Sequence, residues 1–271
     1  SSSLSFIFFK DSVYDKSKPN KFDYYRARYV LGDVALLMRS RISDQVAFSI
    51  GPVYEFYSLD ASDNGNRFIN QPLQNGLDPA TLYHEQCFVG GRLMFTVDTR
   101  DNKISPRKGM MWQNTFRILS GKNSASHDLK QVSSDLSVFT KITKKLIWAN
   151  RIGAGRNFGQ FEFFQAQYLG AEDNLRGYRK NRFAGFGRLF VNTELRLKLA
   201  DFHTYLFPAS LGLVGFYDAG KIWASTGNND KWVSGIGGGF WLSPLSRMIF
   251  TFTYAVSKED KLPVLSLGWR F

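Results

Sequence analysis

The chain has few of the residues from which disulfides and metal centres are made. Its 271 residues include one cysteine, Cys87, and three histidines. A single cysteine excludes an internal disulfide and a cysteine-rich metal site. His84 lies close to Cys87 in sequence, but two ligands without partners are a weak signal, and a loop histidine beside an ordinary strand cysteine is the favoured interpretation. The sequence therefore predicts no metal and no other cofactor.

A long apolar run is also missing. No stretch of about 18 apolar residues exists, which excludes a membrane-spanning helix. A membrane β-barrel is not excluded, because barrel strands alternate apolar with polar residues. The chain begins with SSSLSFIFFK and has no basic segment before its first apolar residues. We therefore interpret it as a mature or excised segment and not as a signal peptide.

Aromatic residues make up 16% of the chain, although its mean hydropathy is only −0.24. A sheet with one apolar and one polar face explains both values. The net charge of +12 makes nucleic acid or anionic lipid a candidate partner. The basic residues are spread over strands and loops instead of clustering on one face with exposed aromatic residues, which disfavours nucleic acid.

Apolar and polar residues alternate along most of the chain, and helical periodicity is nearly absent. In the RMIFTFTYAVS segment, Phe250, Phe252 and Tyr254 share one face. Trp269 and Phe271 share the corresponding face of the last segment. These five aromatic residues are therefore predicted to face lipid.

This alternation predicts about twelve strands, most of them as long as the roughly 9–11 residues that a barrel strand needs to cross a membrane. The longest connections are 60–85 and 158–185, and short turns alternate with them. The fold class is therefore predicted to be all-β, an antiparallel transmembrane barrel. The predicted strands cover 3–10, 23–39, 44–59, 86–99, 109–120, 128–141, 144–157, 186–199, 209–222, 232–242, 246–257 and 263–271.

A soluble β-sandwich is the alternative fold. The polar face of the predicted strands carries charged residues that a sandwich core could not bury unpaired. A water-filled lumen could hold them, which favours the barrel. They are Arg92, Asp98, Arg117, Asp135, Arg151, Glu194, Arg196 and Asp218.

No set of catalytic residues stands out in the sequence. GIGGGF (235–240) superficially matches a dinucleotide-binding loop, but no helix follows it and no βαβ unit surrounds it. Glycines within a strand more often mark curvature or a close backbone approach. We therefore predict no catalytic residue and no enzyme activity for this chain.

Four segments resemble the BamA/TamA-type assembly-barrel family of bacterial outer membranes, also called bacterial surface antigen barrels. VDTRDNKISPRKGMMW resembles a strand–turn–strand segment of that family, which implies a periplasmic turn. Its matching residues are Asp98, Arg100, Asp101, Asn102, Pro106 and Gly109. GFYDAGKIW resembles a further strand of the family and contains Asp218.

The other two segments resemble a loop tip and a terminal strand. YLGAEDNLRGYRKN is similar to the tip of the family's sixth external loop, and its motif residues are Leu175, Arg176, Gly177 and Tyr178. The last strand resembles the terminal signal by which such barrels are recognised for assembly, here Leu267, Trp269 and Phe271. All four segments occur in the order that the family has.

The resemblance extends over about residues 85–271, whereas 1–85 match no motif of the family. It implies that 1–271 form a single outer-membrane barrel domain, although barrels of this family usually have sixteen strands. It also implies that the loop 158–185 folds into the lumen, where Arg176 contacts the inner wall. The expected location is the bacterial outer membrane.

Glu194 and Asp218 are the predicted partners of Arg176, because both have inward parity on the strands that follow the loop. Direct pairing of the two carboxylates requires a connection centred near residue 206. Pro208 would lie in that connection, since proline cannot donate within a central ladder. An arginine between two carboxylates forms charge-assisted bonds that a lysine would not reproduce.

Three functions remain open. The first is the insertion, assembly or translocation of other polypeptides by a barrel whose end strands part. The second is a membrane anchor or export barrel for an attached metallophosphoesterase, because LRGYRKNRFAGFG, NTELRLKLADF and LPVLSLGWRF resemble a branch that carries this N-terminal domain. The third is a passive pore, which the loop motif disfavours. The expected partners are outer-membrane lipid and lipopolysaccharide, client outer-membrane proteins or periplasmic modules, and no nucleic acid.

Overall fold

The computed structural model describes residues 2–6, 24–71, 77–203, 208–224, 232–245, 248–269 and 271. Part of the predicted first strand and the centre of the predicted connection near residue 206 lie outside the described residues. The strands are β1 (Ser2–Phe6), β2 (Arg26–Ala35), β3 (Met38–Arg41), β4 (Val46–Ser58), β5 (Gln86–Asp98), β6 (Gly109–Gly121), β7 (Leu129–Lys141), β8 (Leu146–Gly159), β9 (Gln167–Leu169), β10 (Phe183–Gly185), β11 (Gly187–His203), β12 (Pro208–Trp223), β13 (Val233–Pro244), β14 (Phe250–Ser257) and β15 (Lys261–Leu267).

Twelve strands follow one another in a single antiparallel sheet, in the order β1-β2-β4-β5-β6-β7-β8-β11-β12-β13-β14-β15. This confirms the predicted all-β class and the predicted number of strands. β3 pairs with β4 and continues the line of β2 beyond a break at Leu36. Within the described residues no pairing joins β1 to β15, so these strands form an open barrel wall.

β14 shows how alternation produces a sheet with two different faces. Phe250, Phe252 and Tyr254 point outward and are 41%, 41% and 48% exposed, whereas Thr251 and Thr253 between them are buried. The outward positions of the other long strands are also mostly aliphatic or aromatic. The outward face therefore suits lipid, and the inward face carries the polar residues.

The two ends of the sheet differ in the length of their connections. At one end, which we call the turn rim, the connections include residues 42–45, 99–108 and 142–145. At the other end, the loop rim, they include residues 59–85, 122–128 and 160–186. No helix in the described part of the chain is long and apolar enough to cross a membrane.

The loop 160–186 is more regular than the sequence predicted. It contains a 3-10 helix at Phe163–Gln165, a helical turn at Ala171–Asn174 and the short hairpin of β9 with β10. The loop lies against the inward face, where Phe164 stacks on Tyr57 of β4 with ring centroids 4.3 Å apart. Phe163 packs edge-on against the same tyrosine at 5.6 Å. These contacts form part of the main apolar core.

Two of the five aromatic residues predicted to face lipid point inward instead. Trp269 and Phe271 both contact the inward Arg196, whose guanidinium carbon lies 4.1 and 5.3 Å from their ring centroids. β15 ends at Leu267, and Gly268 adopts a φ of +94°. This conformation interrupts the alternation of a strand. Leu267, which is 72% exposed, is therefore the last outward residue of the strand, and the prediction that Trp269 and Phe271 face lipid is wrong.

We expect an arginine in place of Phe252 to destabilise the folded protein in a bilayer. The side chain lies outward on β14 and is 41% exposed, and an arginine on the lipid face costs about 2–4 kcal/mol near mid-bilayer. Phe252→Leu is the control, because it keeps an apolar side chain there. Urea unfolding of the wild-type protein and the two variants in liposomes measures the difference in stability. Equal unfolding midpoints for Phe252→Arg and Phe252→Leu would show that this face does not contact lipid.

Candidate functional site: the loop tip on the inner wall

Arg176, at the tip of the loop 160–186, is buried against the inner wall. Its Nε and Nη2 donate to the two carboxylate oxygens of Asp218 at 2.6 and 2.7 Å, and its backbone N–H donates to the same carboxylate at 3.0 Å. Its Nη1 donates to Glu194 at 2.6 Å. The guanidinium carbon lies 3.5 Å from the ring centroid of Phe216. The structure thus places Arg176 between the two carboxylates that the sequence assigned to it.

The two carboxylates are diagonal neighbours and not a directly paired couple. Asp218 faces Asn192 across β11 and β12, while Glu194 faces Phe216. Diagonal side chains in a sheet are about 7–8 Å apart, which long side chains can span. The guanidinium lies on the Phe216 ring and reaches a carboxylate on each side. The predicted direct pairing was therefore wrong.

Pro208 also differs from the prediction. It is the first residue of β12 and pairs with His203, so it does not lie in the connection. Proline is tolerated at the first residue of a strand. A bulge between Lys198 and Ala200 shifts the register of this hairpin.

The residues beneath the loop tip form one row across four strands. The row consists of Asn192, Asp218, Gly235 and Ser257, which face one another in turn on β11, β12, β13 and β14. Asn192 donates from Nδ2 to the carbonyl oxygen of Asn174 at 2.8 Å. Ser257 donates from Oγ to the carbonyl oxygen of Gly177 at 2.7 Å. Three strand spacings are about 14 Å, which the extended tip can cover.

Two glycines allow the tip to approach this row closely. A Cβ on Gly235 would lie 2.0 Å from the carbonyl oxygen of Arg176. Gly177 has a φ of +88°, and a Cβ there would lie 3.0 Å from the Cβ of Ser257. Gly235 begins the GIGGGF segment, so its role is the close backbone approach that the sequence favoured over nucleotide binding.

The remaining motif residues of the tip are buried beside Arg176. Leu175 is fully buried and packs in a cluster with Leu169, Phe183, Phe190 and others. Tyr178 belongs to the same cluster and donates from its hydroxyl to a backbone oxygen of β13 at 3.3 Å. The tip is therefore fixed by apolar packing as well as by ion pairs.

Glu194 is shared between two arginines. Its other carboxylate oxygen accepts bonds from Nε and Nη2 of Arg196 at 2.9 and 2.8 Å. Arg196 is 1% exposed and rests on the ring of Trp269. Since each of these ions is deeply buried, removing one partner leaves another buried charge uncompensated.

A second anchor of the loop was not predicted from the sequence. Gln165 donates from its side-chain amide to Glu55 of β4 at 2.8 Å. The other carboxylate oxygen of Glu55 contacts Arg117 at 2.5 Å, and Arg117 also contacts Asp33 at 2.8 Å. Inward parity could have identified Glu55, but no sequence signal connects it with a glutamine 110 residues away.

Glu162 strengthens this anchor at the loop rim. Burial raises the pKa of its carboxyl group, although His127 and Thr81 oppose the shift. Its carboxylate lies 3.5 Å from His127 Nδ1 and 3.3 Å from the hydroxyl of Thr81. Three loops of the loop rim therefore meet at one carboxyl group.

Two further basic residues of the loop contact the β14–β15 connection and not the wall. Arg182 donates from Nε and Nη2 to Glu259 at 2.7 and 2.8 Å. Arg179 lies 3.2 Å from Asp260. The loop is thus attached to β4 through one segment and to the last strands through another.

The predicted periplasmic turn motif consists of residues that shape the turn 99–108. Asp98 accepts two bonds from the guanidinium of Arg100 at 2.8 and 2.9 Å. Burial opposes ionisation of Asp101, but the backbone N–H groups of Arg107 and Lys108 outweigh it and lower the pKa.

The other three residues of the motif have similar roles. Asn102 accepts from the N–H groups of Ile104 and Ser105 at 2.8 and 2.9 Å. Pro106 is buried. Gly109 has a φ of +100°, and a Cβ there would lie 2.3 Å from a backbone oxygen of residue 99. All six residues therefore act in the local structure of the turn.

The residues weighed for metal binding do not gather into a cluster. Cys87 Sγ lies 3.5 Å from the hydroxyl of Tyr54. Among the described residues, no group of three or more His, Cys, Asp or Glu side chains could hold a metal ion.

We expect Arg176→Ala to destabilise the folded protein by about 3–5 kcal/mol, because it leaves Asp218 and Glu194 buried without their shared counterion. Arg176→Lys should recover only part of this loss, since a lysine cannot form the fork. Urea unfolding with limited proteolysis of the loop measures both effects. The control is Arg179→Ala, which removes a more exposed ion pair and should cost less than about 1 kcal/mol. Equal losses for the two alanine variants would contradict the assigned role of Arg176.

Comparison with known proteins identifies the family. Residues 1–271 match the Omp85 superfamily domain. BamA from Haemophilus ducreyi lacking POTRA domains 1–3 is similar in structure, with 12% identity and a TM-score of 0.66 over 90% of this chain and 56% of that chain. CdiB from Acinetobacter baumannii is similar with 11% identity and a TM-score of 0.58 over 90% of this chain and 42% of that chain.

The chain thus spans less than two thirds of the length of either structure. A search of curated proteins found no match. The domain match covers the whole chain and agrees with the family predicted from the four sequence segments. The chain belongs to the Omp85 superfamily.

Proposed function

We propose that this chain is the membrane barrel of an outer-membrane protein that inserts or translocates other polypeptides, and that its loop 160–186 is an internal strap. The observation that carries the proposal is the burial of Arg176 between Asp218 and Glu194. A buried arginine with two carboxylates fixes the strap in one position on the wall.

The attachment of the strap at two distant places supports this role. Gln165 holds it to Glu55 on β4, near the start of the sheet. Arg182 holds it to Glu259, between the last two strands. A wall braced in this way can keep its shape while its end strands separate and pair with another polypeptide, as sheet edges do. A passive pore has no need for such a brace across its interior.

The outward face supports placement in the outer membrane. It exposes apolar side chains along most long strands, as a lipid-facing surface does. Outer-membrane lipid, including lipopolysaccharide, is the proposed partner of this face. Client outer-membrane proteins or periplasmic modules are the proposed partners of the edges and the turn rim. The fusion to a metallophosphoesterase stays a prediction, because none of the similarities described above includes it.

We expect the turn rim to be periplasmic and the loop rim to be external. In a Cys87→Ser background, a cysteine at Lys258 on the loop rim should react with a membrane-impermeant maleimide in intact cells. A cysteine at Lys103 on the turn rim should react only after the outer membrane is disrupted. Both lysines are exposed, so accessibility within the protein does not differ. Labelling of Lys103→Cys alone in intact cells would reverse the orientation.

The function is tested with the full-length protein, including its natural N-terminal region, in liposomes. We expect it to speed the folding of a urea-denatured outer-membrane barrel, measured by protection from protease. Arg176→Ala should slow client folding severalfold, whereas Arg179→Ala should have little effect.

The controls separate the proposed function from its alternative. If the wild-type protein inserts but does not change the folding rate of any client or the passage of a secreted substrate, the proposal is wrong. An ion conductance that Arg176→Ala leaves unchanged would instead support the passive pore.

A further inference from the structure

The charges on the inward face are balanced in the middle of the sheet but not at the turn rim. Four inward arginines of the sheet, Arg92, Arg117, Arg151 and Arg196, contact carboxylates, and so does Arg176 at the loop tip. Near the turn rim, Arg39, Arg41, Lys103, Lys141 and Lys145 are exposed, and none of them forms an ion pair with another described residue. This contrast requires an explanation, because like charges in one place repel.

Arg39 and Arg41 line a cavity on the inward side of the turn rim. The cavity has a volume of about 390 Å³, and Lys103 from the next turn also lines it. Ser49 and Thr96 also line it and can donate or accept hydrogen bonds. Its volume lies within the range of about 300–1,000 Å³ that is typical of ligand sites.

The direction of these basic side chains follows from the strand register. Arg41 faces the buried Ala47 across β3 and β4, and Arg39 faces Ser49. Residues two apart on one strand share a face and lie about 6.7 Å apart. Both arginines therefore point toward the lumen, and Ile42, at the alternate position, is 67% exposed.

The turn between β3 and β4 has the same hydrogen bond as the turn between β7 and β8, two hairpins further along the sheet. Ile42 N–H donates to Val46 at 2.9 Å, and Ile142 N–H donates to Leu146 at 3.0 Å. Lys141 therefore occupies the position that Arg41 has in the first turn. It faces Ile147, whose other neighbour is the inward Arg196.

The second turn of the pair has the same internal support as the first. Ser43 Oγ accepts from two backbone N–H groups at 3.3 and 3.1 Å, and Thr143 Oγ1 does so at 3.1 and 3.0 Å. Arg39, Arg41 and Lys141 precede these turns and are thus held on the lumen side by a repeated turn. Together with Lys103 and Lys145, which lie within turns of the same rim, they form an electropositive mouth, which we define as Arg39, Arg41, Lys103, Lys141 and Lys145.

Acidic residues near the mouth offset only part of its charge. Asp98 is bound by Arg100, and Asp101 is held by backbone N–H groups. Asp44 is exposed and also lines the cavity. The mouth therefore has five basic side chains without an ion pair to any described residue. At most two of the described carboxylates near it, those of Asp44 and Asp101, are not bound by a basic side chain.

We propose that the electropositive mouth binds an acidic, extended polypeptide segment as it enters the lumen. The inference rests on the proposed function, since it assigns a charge preference to the polypeptide that this barrel handles. An extended chain with carboxylates at alternate residues repeats them at about 6.7 Å, which matches the spacing of Arg39 and Arg41. A lipid headgroup is disfavoured, because the strands separate the cavity from the outward face.

The test uses the full chain in nanodiscs of zwitterionic lipid, where both rims are open to solvent. The probe is a fluorescein-labelled ten-residue peptide that alternates Glu with Ser, and its anisotropy measures binding. We expect Arg39→Gln, Arg41→Gln and Lys103→Gln together to weaken binding by about tenfold or more, since each exposed ion pair contributes up to about fivefold. Binding to the wild-type protein should also weaken as ionic strength rises.

The matched control removes three basic charges from the loop rim by Lys122→Gln, Lys130→Gln and Lys258→Gln. It has the same net charge as the mouth variant and should bind like the wild-type protein. Equal affinities of the two variants, or equal binding of a Lys/Ser peptide by the wild-type protein, would overturn the proposal. Displacement of the peptide by short-chain phosphatidylglycerol at equal charge would assign the mouth to lipid headgroups and also overturn it. A protein that inserts and speeds client folding but binds no acidic peptide would refute this inference and leave the proposed function standing.

Discussion

The buried ion pairs of Arg176 are the interaction on which the arrangement of the loop depends. A guanidinium and two carboxylates are removed from water together, and each is satisfied only while the others stay in place. Glu194 also forms an ion pair with Arg196, whose guanidinium packs on the ring of Trp269. A displacement of the loop tip would therefore leave charges unpaired on two strands and disturb the packing near the turn rim.

The tip can satisfy these charges because the wall beneath it provides one straight row of partners. Asn192, Asp218 and Ser257 bind successive parts of the tip, and Gly235 leaves room for its backbone. The row extends across four strands. The tip therefore binds all four strands and links them to one another. Gln165 adds a contact at β4, and the loop thereby couples strands that are far apart in the sheet.

The sequence predicts the strands better than it predicts their partners. An outward residue such as Phe252 needs only to be apolar, so alternation alone identifies it. The contacts of Arg176 with Asp218 and Glu194 were predicted from two signals. The family resemblance placed Arg176 at the inner wall, and strand parity pointed both carboxylates inward. The diagonal placement of the two carboxylates was missed, since it depends on the register that the bulge near Lys198 sets. Trp269 was misplaced for a similar reason: the positive φ of one glycine, Gly268, reverses the side chains that follow.

Lipid on one face and buried charge on the other together fix the register of β12. Side chains alternate with a period of two, so a slip by one residue would turn Asp218 outward and Tyr217 inward. A carboxylate would then face lipid, while Arg176 would lose its main partner inside. Both consequences are unfavourable, and a slip by two residues would place Phe216 where Asp218 contacts the tip. The strand thus has one register in which its outward face is apolar and its inward face meets the loop.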